Sequence, residues 1–516
     1  MSQIENMVRQ KTDYSIPDSM GILMTFKYDN VGLMDFQRVD ELHDIGYNRT
    51  ISMMDSIKSR IHRRVNLDNI RLRRMVYRSN YPELRFKNII IDGANTQQQA
   101  YIKKEFHKSD NKEFSYEDLK QGYFRLLSDN MISEIIPHAI YNPEDDTYDL
   151  HLKVKLENNF AVRLGGNIST SNSNQIYLGL SYQDLNYYAK EFVFDGQLGK
   201  VYNNAQFMAK IDFSTAIPTS YRFIASISTF DYFKKDKLFS RNDKPAFNQK
   251  DERFLKLQVG LPFLSSKRAE FGIGIARIED KYFQKSVIDF GNDKFDKSRY
   301  DLFGGSISFN GSTLNSRQYP TRGYREALIA QIFIGRERFY PGESATGNNN
   351  KEHHSWLQLS YMKEKYHNMS EHWVLGWYLK ALYASKNFSE NYTATMMQAG
   401  EFSPTQHSKL TYNEAFRANQ FVGAGIRPIY RLNQMFHLRG EFYGFMPIYP
   451  IERNSLNKAY YGKAFSKFEY LGEISVVCQL PFGDISAYVN HYSSPKREWN
   501  VGLSIGWQLF NYRFIE

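Results

Sequence analysis

Apolar and polar residues alternate one by one in Phe254-Leu-Lys-Leu-Gln-Val-Gly-Leu-Pro-Phe263, and this alternation indicates the fold class. In an extended strand successive side chains point to opposite faces, so Val259 and the three leucines share one face. The other face carries Lys256, Gln258 and Gly260. An apolar face opposite a polar and charged one predicts a strand with water on one side only.

Segments of this kind recur from about residue 158 to residue 516. We count roughly sixteen of them, about 10–14 residues each and separated by turn residues, which is the pattern of a transmembrane barrel. In Phe436–Phe442, for example, His437, Arg439 and Glu441 share one face. A soluble sandwich is the alternative, but its dry core excludes charges that recur on the inward face of strand after strand. The sequence therefore predicts a mainly β fold, with an outer-membrane barrel of about sixteen strands over residues 158–516.

The composition agrees with a barrel and excludes several other classes. Aromatic residues make up 16% of the 516 residues, with 37 Tyr and 38 Phe, which favours β structure and aromatic girdles. No run approaches the roughly 18 apolar residues of a spanning helix. Lys and Arg are interleaved with Asp and Glu despite the net charge of +10, so no nucleic-acid partner is predicted. The single cysteine, Cys478, excludes an intrachain disulfide framework and a cysteine-based zinc site.

Residues 1–80 have a helical pattern but too little apolar surface for a core of their own. One helix is predicted over Phe36–Ile45, ending at Gly46, which is a suitable helix C-cap. A second, Thr50–Ile61, carries isoleucines and a methionine at helical spacing. The first residues lack the apolar region of a secretory signal. We therefore expect this segment to be part of something larger.

Residues 84–156 are predicted to form a compact β-α-α-β-β unit. Ser115 begins the second helix, and Asp118 takes the place of the glutamate in a capping box. The last strand alternates leucine and valine with polar residues at period two. The predicted elements are Leu84–Ile91, Gln97–Phe106, the helix from Ser115, Ile132–Tyr141 and Tyr148–Leu156.

Gly502-Leu-Ser-Ile-Gly506 matches the G-x-S-x-G nucleophile elbow of serine hydrolases. An elbow needs a strand, a tight turn and then a helix. Here the alternation continues past Ser504 through Phe510, Tyr512 and Phe514, and no Asp…His pair follows. Ser504 is therefore predicted to be a lumen-facing strand residue and not a nucleophile.

Asp92-Gly93-Ala94 resembles the triplet that supplies the aspartate of the catalytic dyad in patatin-like lipases. In this chain the triplet closes the first strand of the mixed unit, ahead of a helix, and no elbow serine precedes it. Asp92 is therefore predicted to be non-catalytic.

The order of segments is similar to that of three linked families. Val39–Tyr47, with the helix that ends at Ile57–Ile61, resembles the end of a patatin-like phospholipase domain. Residues 84–156 resemble a polypeptide-transport-associated (POTRA) domain, through Ile89–Asn95 and Gly122–Leu127. The remainder resembles the sixteen-stranded barrel of the bacterial surface antigen superfamily, which includes outer-membrane assembly and two-partner secretion translocons.

One local motif agrees with this resemblance. Tyr319-Pro320-Thr321-Arg322-Gly323 resembles the P-T-x-G turn of that superfamily, and a predicted strand, Tyr324–Arg336, follows it. Proline presets φ, and the final glycine permits a tight turn. We expect an ordinary periplasmic turn at this motif.

The long loop between strands eleven and twelve of that superfamily usually carries an R-G-F/Y tip that reaches into the barrel. The corresponding segment, Asn391–Asn419, lacks this tip but offers Phe416-Arg417-Ala418. The resemblance therefore suggests the hypothesis that Arg417 plugs the lumen against an acidic strand residue. A surface-loop charge is the alternative.

The resemblance implies a protein of the bacterial outer membrane whose POTRA domain lies in the periplasm and whose partners are outer-membrane lipids. The POTRA domain is expected to recruit a polypeptide passenger by strand addition at its edge.

The catalytic serine and aspartate of the patatin-like family would precede Met1, so we expect the downstream part of a longer fused protein, without enzymatic activity in this chain. Three functions stay open: a barrel that anchors and exports a fused lipase, a lipid acyl hydrolase whose catalytic half lies upstream, and an assembly or translocation factor. The oligomeric state also stays open.

No metal or cofactor site is predicted. His353 and His354 are adjacent, and adjacent residues of a strand face opposite ways, so they do not share an ion. Asp289, Asp293 and Asp296 lie in a predicted loop without the spacing of an EF-hand. We expect a solvated loop at these aspartates, with weak calcium binding as the alternative.

Overall fold

The computed structural model describes residues 15–17, 21–26, 39–61, 65–79, 82–106, 113–171, 174–213, 217–232, 248–263, 267–284, 294–343, 349–433, 435–494 and 499–516. The chain divides into two compact units, Met1–Glu83 and Leu84–Glu516, and each is described by itself. The second unit contains a small α/β body and a closed barrel.

The first unit is helical, as predicted. Its described helices, in which no residue is buried, are α1 (Val39–Ser52), α2 (Met54–Arg60) and α3 (Leu67–Ser79). The prediction that a helix ends at Gly46 is wrong, because α1 continues through it. A glycine in a helix interior costs only about 1 kcal/mol, and the Thr50 hydroxyl donates to the Gly46 carbonyl oxygen at 2.8 Å. Among the described residues, no helix is long and apolar enough to cross a membrane.

A small α/β body precedes the barrel and has the predicted β-α-α-β-β order, with one added two-residue strand. Its elements are β1 (Arg85–Asp92), α4 (Thr96–Phe106), β2 (Phe114–Ser115), α5 (Tyr116–Leu127), β3 (Ile132–Asn142) and β4 (Thr147–Leu156). The sheet order is β2-β1-β4-β3, with β1 parallel to β4 and β3 antiparallel to it. The predicted capping box is present, since Ser115 accepts from Asp118 N and the Asp118 carboxylate accepts from Ser115 N at 3.0 Å.

The barrel is closed and consists of sixteen antiparallel strands, which confirms the predicted fold class. The wall strands are β5 (Phe160–Ser169), β6 (Gln175–Leu185), β7 (Ala189–Gly199), β8 (Tyr202–Phe213), β9 (Thr219–Tyr232), β10 (Asn248–Phe263), β11 (Lys267–Tyr282), β12 (Asp296–Ser312), β13 (Gly323–Tyr340), β14 (Asn350–Asn368), β15 (Trp373–Ala384), β18 (Gln420–Arg431), β19 (Phe436–Pro447), β22 (Glu469–Leu480), β23 (Gly483–Tyr492) and β24 (Trp499–Gly506). Short strands in the connections are β16 (Gly400–Glu401), β17 (Arg417–Ala418), β20 (Ile451–Arg453) and β21 (Ala459–Tyr461). Consecutive wall strands are neighbours, and β24 closes the barrel against β5.

The two faces of the wall differ as the alternation predicts. In β10, Leu255 and Leu257 are 45% and 54% exposed on the outer face, whereas Lys256 and Gln258 are buried on the inner face. The same division holds in β19, where Arg439 is buried and its neighbours Phe436 and Leu438 are exposed. The outer face is therefore apolar, and charged residues lie inside.

Aromatic side chains form a band on the outer face at one end of the barrel, which we call the proximal end because β5 begins there. Ring centroids in this band lie close together, at 4.7 Å for Tyr188 and Phe213 and at 5.0 Å for Trp373 and Tyr430. Such a band is typical of the interface between lipid and water. The opposite end is the distal end.

The core of the α/β body continues into the barrel. Leu185 at the end of β6 and Ala189 at the start of β7 are buried in the same cluster as Ile102 of α4 and Leu150 of β4. Lys104 of α4 also lies 5.9 Å from the ring of Tyr188, in the turn between these wall strands. The body is thus packed against the proximal turn of β6 and β7.

Candidate functional site in the barrel lumen

A long segment, residues 385–419, connects β15 to β18, which are the eleventh and twelfth strands of the wall, and enters the lumen. It begins with α6 (Tyr392–Gln398), where the Asn391 side chain caps the helix by accepting from Ala394 N at 2.9 Å. Asn391 also donates to the Tyr282 hydroxyl at 2.6 Å, and Gln398 donates to the Asp280 carboxylate at 2.6 Å. Both partners are buried residues of β11, so the helix is fixed to the inner wall.

The tip of this segment reaches the opposite end of the lumen. His407 Nδ1 lies 2.9 Å from the Glu473 carboxylate of β22, and its ring stacks on Tyr488 of β23. Gln406 Nε2 donates to the carbonyl oxygen of Gln318 at 2.8 Å. Because Gln318 lies in the proximal turn between β12 and β13, the segment spans the lumen from the distal to the proximal end.

Arg417 is buried inside this segment, and its partner is a carboxylate. Its guanidinium donates to the Glu401 carboxylate at 2.9 Å and lies 4.6 Å from the Tyr412 ring. Glu401 and Arg417 face each other across the short β16–β17 pair. The acidic partner therefore comes from the same segment and not from a wall strand. Arg513, beyond the last strand, lies 3.9 Å from the same carboxylate.

Four charged side chains form a lumen ion-pair cluster, which we define as Arg427, Arg439, Glu364 and Glu441. Arg427 of β18 pairs with Glu364 of β14, and Arg439 pairs with Glu441 on β19. All four are buried, and the Tyr366 hydroxyl accepts from Arg439 Nη2 at 3.0 Å. Charge-assisted hydrogen bonds of this kind are stronger and more directional than neutral ones.

The lumen ion-pair cluster holds the internal elements to the wall. Arg427 Nη2 donates to the carbonyl oxygen of Pro404 at 3.1 Å, near the tip of residues 385–419. Arg439 Nη1 donates to the carbonyl oxygen of Pro320 at 2.8 Å, in the proximal turn. Each arginine thus joins an acidic wall residue to a different internal segment.

The predicted turn Tyr319-Pro320-Thr321-Arg322-Gly323 leads into β13 and also folds into the lumen. Asn315 Oδ1 accepts from the backbone N–H groups of Thr321 and Arg322 at 2.9 Å. The Tyr319 side chain is 2% exposed and donates to Ser486 of β23 at 3.0 Å. Gly323 has φ +91°, and a Cβ there would lie 2.1 Å from the carbonyl oxygen of Thr313, so the turn requires glycine.

We call the junction of β5 and β24 the seam. Its register contains three residue pairs, Ser504–Ser169, Ile505–Ile168 and Gly506–Asn167. Gly506 has φ +112°, and a Cβ on it would lie 2.1 Å from the carbonyl oxygen of Gly166. Glycine therefore allows the chain to leave the wall here and turn inward.

Ser504 lies on the lumen face of the seam. Its hydroxyl donates to Asn167 Oδ1 at 2.6 Å. The neighbouring Leu503 and Ile505 are exposed on the outer face, in agreement with the predicted alternation. No helix follows within the described residues 507–516, so the G-x-S-x-G stretch lacks the shape of an elbow.

The prediction that the last strand continues to Phe514 is wrong. The strand ends at Gly506, and the following inner segment, Trp507–Glu516, crosses the lumen along the inside of the wall. Phe514 is buried among inner-face residues of β10 and β13, with its ring centroid 5.9 Å from that of Phe254 and 5.7 Å from that of Phe333. The alternation of aromatic residues in this segment thus reflects burial inside the barrel.

Asp92 lies in the α/β body, outside the lumen, and His353 and His354 lie on β14. Asp92 is the exposed last residue of β1, and a Cβ on Gly93 would lie 2.1 Å from the carbonyl oxygen of Val154. His353 is exposed and His354 is buried, which confirms that they face opposite ways.

Among the described residues, Glu337, Glu352 and His354 bring ligand atoms within 4.8 Å of one another and are where a cation could bind. His354 Nε2 lies 2.9 Å from Glu337 Oε2, and the Tyr300 hydroxyl donates to Glu337 Oε1 at 3.1 Å. These contacts satisfy Glu337 without an ion. Of the three aspartates predicted to lie in a solvated loop, Asp289 and Asp293 lie outside the described residues. The prediction is wrong for Asp296, which is buried at the start of β12 and accepts from Gly342 N at 2.7 Å.

Sequence reasoning did not find the inner segment or the side chains that hold it. A usable signal was the set of lumen-facing amide side chains, since the inner-face positions of the wall carry Gln175, Gln197, Asn204, Gln331 and Gln358. A water-filled lumen has no need of buried amides without partners. In the fold, Gln175, Gln331 and Gln358 bind backbone atoms of the inner segment, and Gln197 and Asn204 bind the side chain of its Asn511.

The fold is similar to that of BamA from Haemophilus ducreyi, in a crystal structure that lacks POTRA domains 1-3. The TM-score is 0.56 at 12% sequence identity, over 82% of this chain and 84% of that chain. CdiB from Acinetobacter baumannii gives 0.47 at 9% identity, over 82% and 74% of the two chains. CdiB from Escherichia coli gives 0.48 at 11% identity, over 82% and 76%. At these identities the likeness to BamA concerns the fold.

The sequence matches no protein family and no curated protein.

Proposed function

We propose that the chain is an outer-membrane barrel that translocates or assembles polypeptides. The observation that carries the proposal is the combination of an apolar outer face, a filled lumen and a short seam. Away from the seam, closure satisfies the backbone hydrogen bonds that lipid cannot satisfy, so such a wall is stable in a bilayer. The seam leaves the residues of β5 before Gly166 without a register to β24 among the described residues. A strand edge of this kind can accept a strand of another chain.

The membrane part of this proposal is tested with the purified chain. We expect a detergent-dependent protein whose band shifts on heating in a denaturing gel. A monomer that stays soluble in water without detergent, and shows no shift on heating, would contradict it.

The polypeptide part is tested by depletion in the native host. Loss of many outer-membrane proteins supports assembly, and loss of a single exported protein supports translocation. If the set of outer-membrane and exported proteins is unchanged after depletion, the proposal is wrong. A heat-modifiable barrel of unrelated function, depleted in parallel, controls for general damage to the membrane.

We further propose that residues 84–156 are a POTRA domain on the periplasmic side, which is the proximal side of the barrel. The sheet order leaves β3 at one edge, opposite the short β2. An extended passenger segment added to β3 would gain backbone hydrogen bonds without a specific sequence. Pro137 lies in the middle of β3, and proline is tolerated at sheet edges because it donates no ladder bond there.

A finer proposal concerns α1–α3, which we infer to be the remnant of a patatin-like lipase domain that the barrel anchors and exports. It is supported by the resemblance of Val39–Tyr47 and by the lack of buried residues in the described helices. The purified chain should not hydrolyse phospholipids, and the DNA immediately upstream should encode G-x-S-x-G and D-G-[GA]. Hydrolysis that a serine-directed inhibitor abolishes would contradict the assignment of no enzyme to this chain.

We also propose that Arg417 latches residues 385–419 inside the lumen. Its burial and its 2.9 Å contact with Glu401 support this role. Arg417→Ala should make the segment accessible to protease and increase single-channel conductance. Arg453→Ala is the matched control, since Arg453 is exposed and lies 4.4 Å from the ring of Tyr392 outside the buried pair. Unchanged conductance and folding of Arg417→Ala would contradict the proposed role of Arg417 as a latch.

A further inference from the structure

The inner wall of the barrel holds the inner segment mainly by its backbone. Gln175 of β6 accepts from Leu509 N at 2.8 Å and donates to Leu509 O at 3.3 Å. Gln331 of β13 donates to Phe514 O at 3.1 Å and accepts from Glu516 N at 3.0 Å. A primary amide that binds one N–H and one C=O takes the place of a neighbouring strand.

Further side chains extend the same pattern, one from the proximal turn between β12 and β13 and one from β14. Gln318 accepts from Gln508 N at 3.1 Å and donates to Gly506 O at 3.4 Å. Gln358 of β14 donates to Glu516 O at 2.6 Å. We call Gln175, Gln318, Gln331 and Gln358 the amide wall. Because its contacts go to main-chain atoms, the amide wall does not depend on which side chains the bound segment carries.

A pocket for one side chain makes the site selective for the residue that enters it. The Phe514 ring lies against two glycines: a Cβ on Gly274 would be 2.9 Å from it, and a Cβ on Gly304 would be 3.1 Å from it. Phe254 and Phe333 pack against the same ring. The two missing side chains open a space in the wall of the size of a phenyl ring. Beside it, Lys256 lies 3.3 Å from the Glu516 carboxylate.

We propose that the amide wall and this aromatic pocket are a binding site for an extended client polypeptide that bears an aromatic side chain. The inner segment is the resting occupant of that site. The inference rests on the proposed function in polypeptide translocation or assembly, since it names where the client binds inside the barrel. A backbone-reading site suits clients of many sequences, and the aromatic pocket sets their position along the wall.

A client peptide has to compete with the inner segment for the same site, and the inner segment has the advantage of being covalently attached to the barrel. A tethered segment acts at an effective concentration of about millimolar, so a free peptide has to bind much more tightly to displace it. Removing or weakening the occupant should therefore raise the apparent affinity for a free peptide. Client binding is then coupled to the release of the inner segment.

The test uses a fluorescent peptide with the sequence Trp-Gln-Leu-Phe-Asn-Tyr-Arg-Phe-Ile-Glu and the detergent-solubilised chain. Anisotropy should show at least about tenfold tighter binding to a chain from which Trp507–Glu516 is deleted than to the full chain. The peptide with Phe514→Ala should bind the shortened chain at least about tenfold more weakly, as expected for an aromatic anchor in a pocket. Heat-modifiable mobility shows that each variant is folded.

Two point variants repeat the test without a deletion. Phe514→Ala in the full chain should increase binding of the unmodified peptide, and Gln331→Ala in the shortened chain should decrease it. Gln183→Ala is the matched control, because Gln183 lies on β6 but donates to Asn158 O at 3.2 Å, away from the site. Equal binding to the full and shortened chains, or to both peptides, would overturn the inference.

The outcomes separate this inference from the proposed function. If depletion reduces outer-membrane or exported proteins but the peptide does not bind the shortened chain, the binding site is wrong and the function stands. If the peptide binds as expected but depletion changes no protein of the membrane, the site is real and the proposed function is wrong.

Discussion

The barrel contains two junctions of very different extent: the back wall, which is the pairing of β13 with β14, and the seam. The register of the back wall runs without a break from Gly323–Tyr366 to Phe339–Asn350. Among the described residues of β5 and β24, the seam has three residue pairs at the end of β24. Both are antiparallel, and both join chemically similar strands. Closure of this barrel is therefore uneven, and the seam is the junction that opens at the lowest cost in backbone hydrogen bonds.

The seam is short because the chain leaves it, and internal contacts replace the missing ladder. Trp507 N still donates to Gly166 O of β5 at 2.7 Å, and beyond it the inner segment binds wall side chains such as Gln175 through its backbone. On the same side of the barrel, Arg439 and Tyr319 connect the proximal turn to β19 and β23. The back wall is held by its own backbone, whereas the seam side is held by side chains in the lumen.

The largest effect is expected from locking the seam. Ser169→Cys with Ser504→Cys, in a Cys478→Ser background, places two cysteines at directly opposed positions, where Cα atoms lie about 4.5–5.5 Å apart and a disulfide can form. Under oxidation we expect loss of polypeptide assembly or export, with recovery on reduction, measured as the level of outer-membrane and exported proteins. Ile329→Cys with Ser360→Cys locks the back wall instead and should have no effect. Equal effects of both disulfides would show that the seam and the back wall do not differ in function.

The next effect concerns the lumen side chains that replace the ladder. Arg439→Met removes the arginine partner of the buried Glu441 on β19 and leaves Arg427 at 3.8 Å from the same carboxylate, so the cost should lie near the lower end of the about 3–5 kcal/mol for a broken buried pair. We expect a lower temperature for the heat-modifiable transition in detergent. Arg163→Met is the control, since the Arg163 side chain is half-exposed and lies 3.7 Å from Asp195, and a pair of this kind should contribute about 0–1 kcal/mol. Equal shifts for the two variants would show that the lumen contacts do not stabilise the seam side.

A smaller effect is expected at the glycine where the chain leaves the wall. Gly506→Ala places a side chain at φ +112°, and the resulting strain is about 1–3 kcal/mol. The same thermal measurement should show a loss of stability and increased protease sensitivity of the inner segment. Gly305→Ala beside the back wall has its nearest neighbour at 3.5 Å and should be neutral or slightly stabilising. A neutral Gly506→Ala would show that the turn does not depend on this conformation.

The smallest effect is expected from Ser504→Ala. The variant loses one hydrogen bond to Asn167 at the seam, worth about 1 kcal/mol. Phospholipid hydrolysis should not change, because Ser504 is a strand residue. Ser306→Ala on β12 is the control, with its hydroxyl at 3.5 Å from Gly272 O. A loss of hydrolytic activity in Ser504→Ala alone would support the hypothesis that Ser504 is a nucleophile.

Local patterns predicted the parts of the fold that depend on local physics. The alternation in Phe254–Phe263 predicts which face of β10 is buried, since side-chain direction follows directly from strand geometry. The capping box of Ser115 and Asp118 was found for the same reason, because its hydrogen bonds join residues three positions apart. The turn at Gly323 belongs to this group as well.

The parts that sequence reasoning missed depend on contacts between distant residues. Gln175 binds Leu509 across 334 positions, and no local pattern states that these residues meet. The alternating aromatic residues after Gly506 fit a wall strand with its aromatic face outward equally well as a segment buried inside the lumen. The positive φ at Gly506 distinguishes the two, and it is a property of the folded backbone. For Arg417, sequence reasoning selected the arginine, but the identity of its partner required the fold of residues 385–419.

The shared core of the α/β body and the barrel makes the two parts mechanically continuous. Leu185 and Ala189 are buried together with residues of α4 and β4, so the body cannot rotate without carrying the turn between β6 and β7. That turn is one strand away from β5. A ligand that pulls on the α/β body therefore applies a force to the seam before that force reaches the back wall.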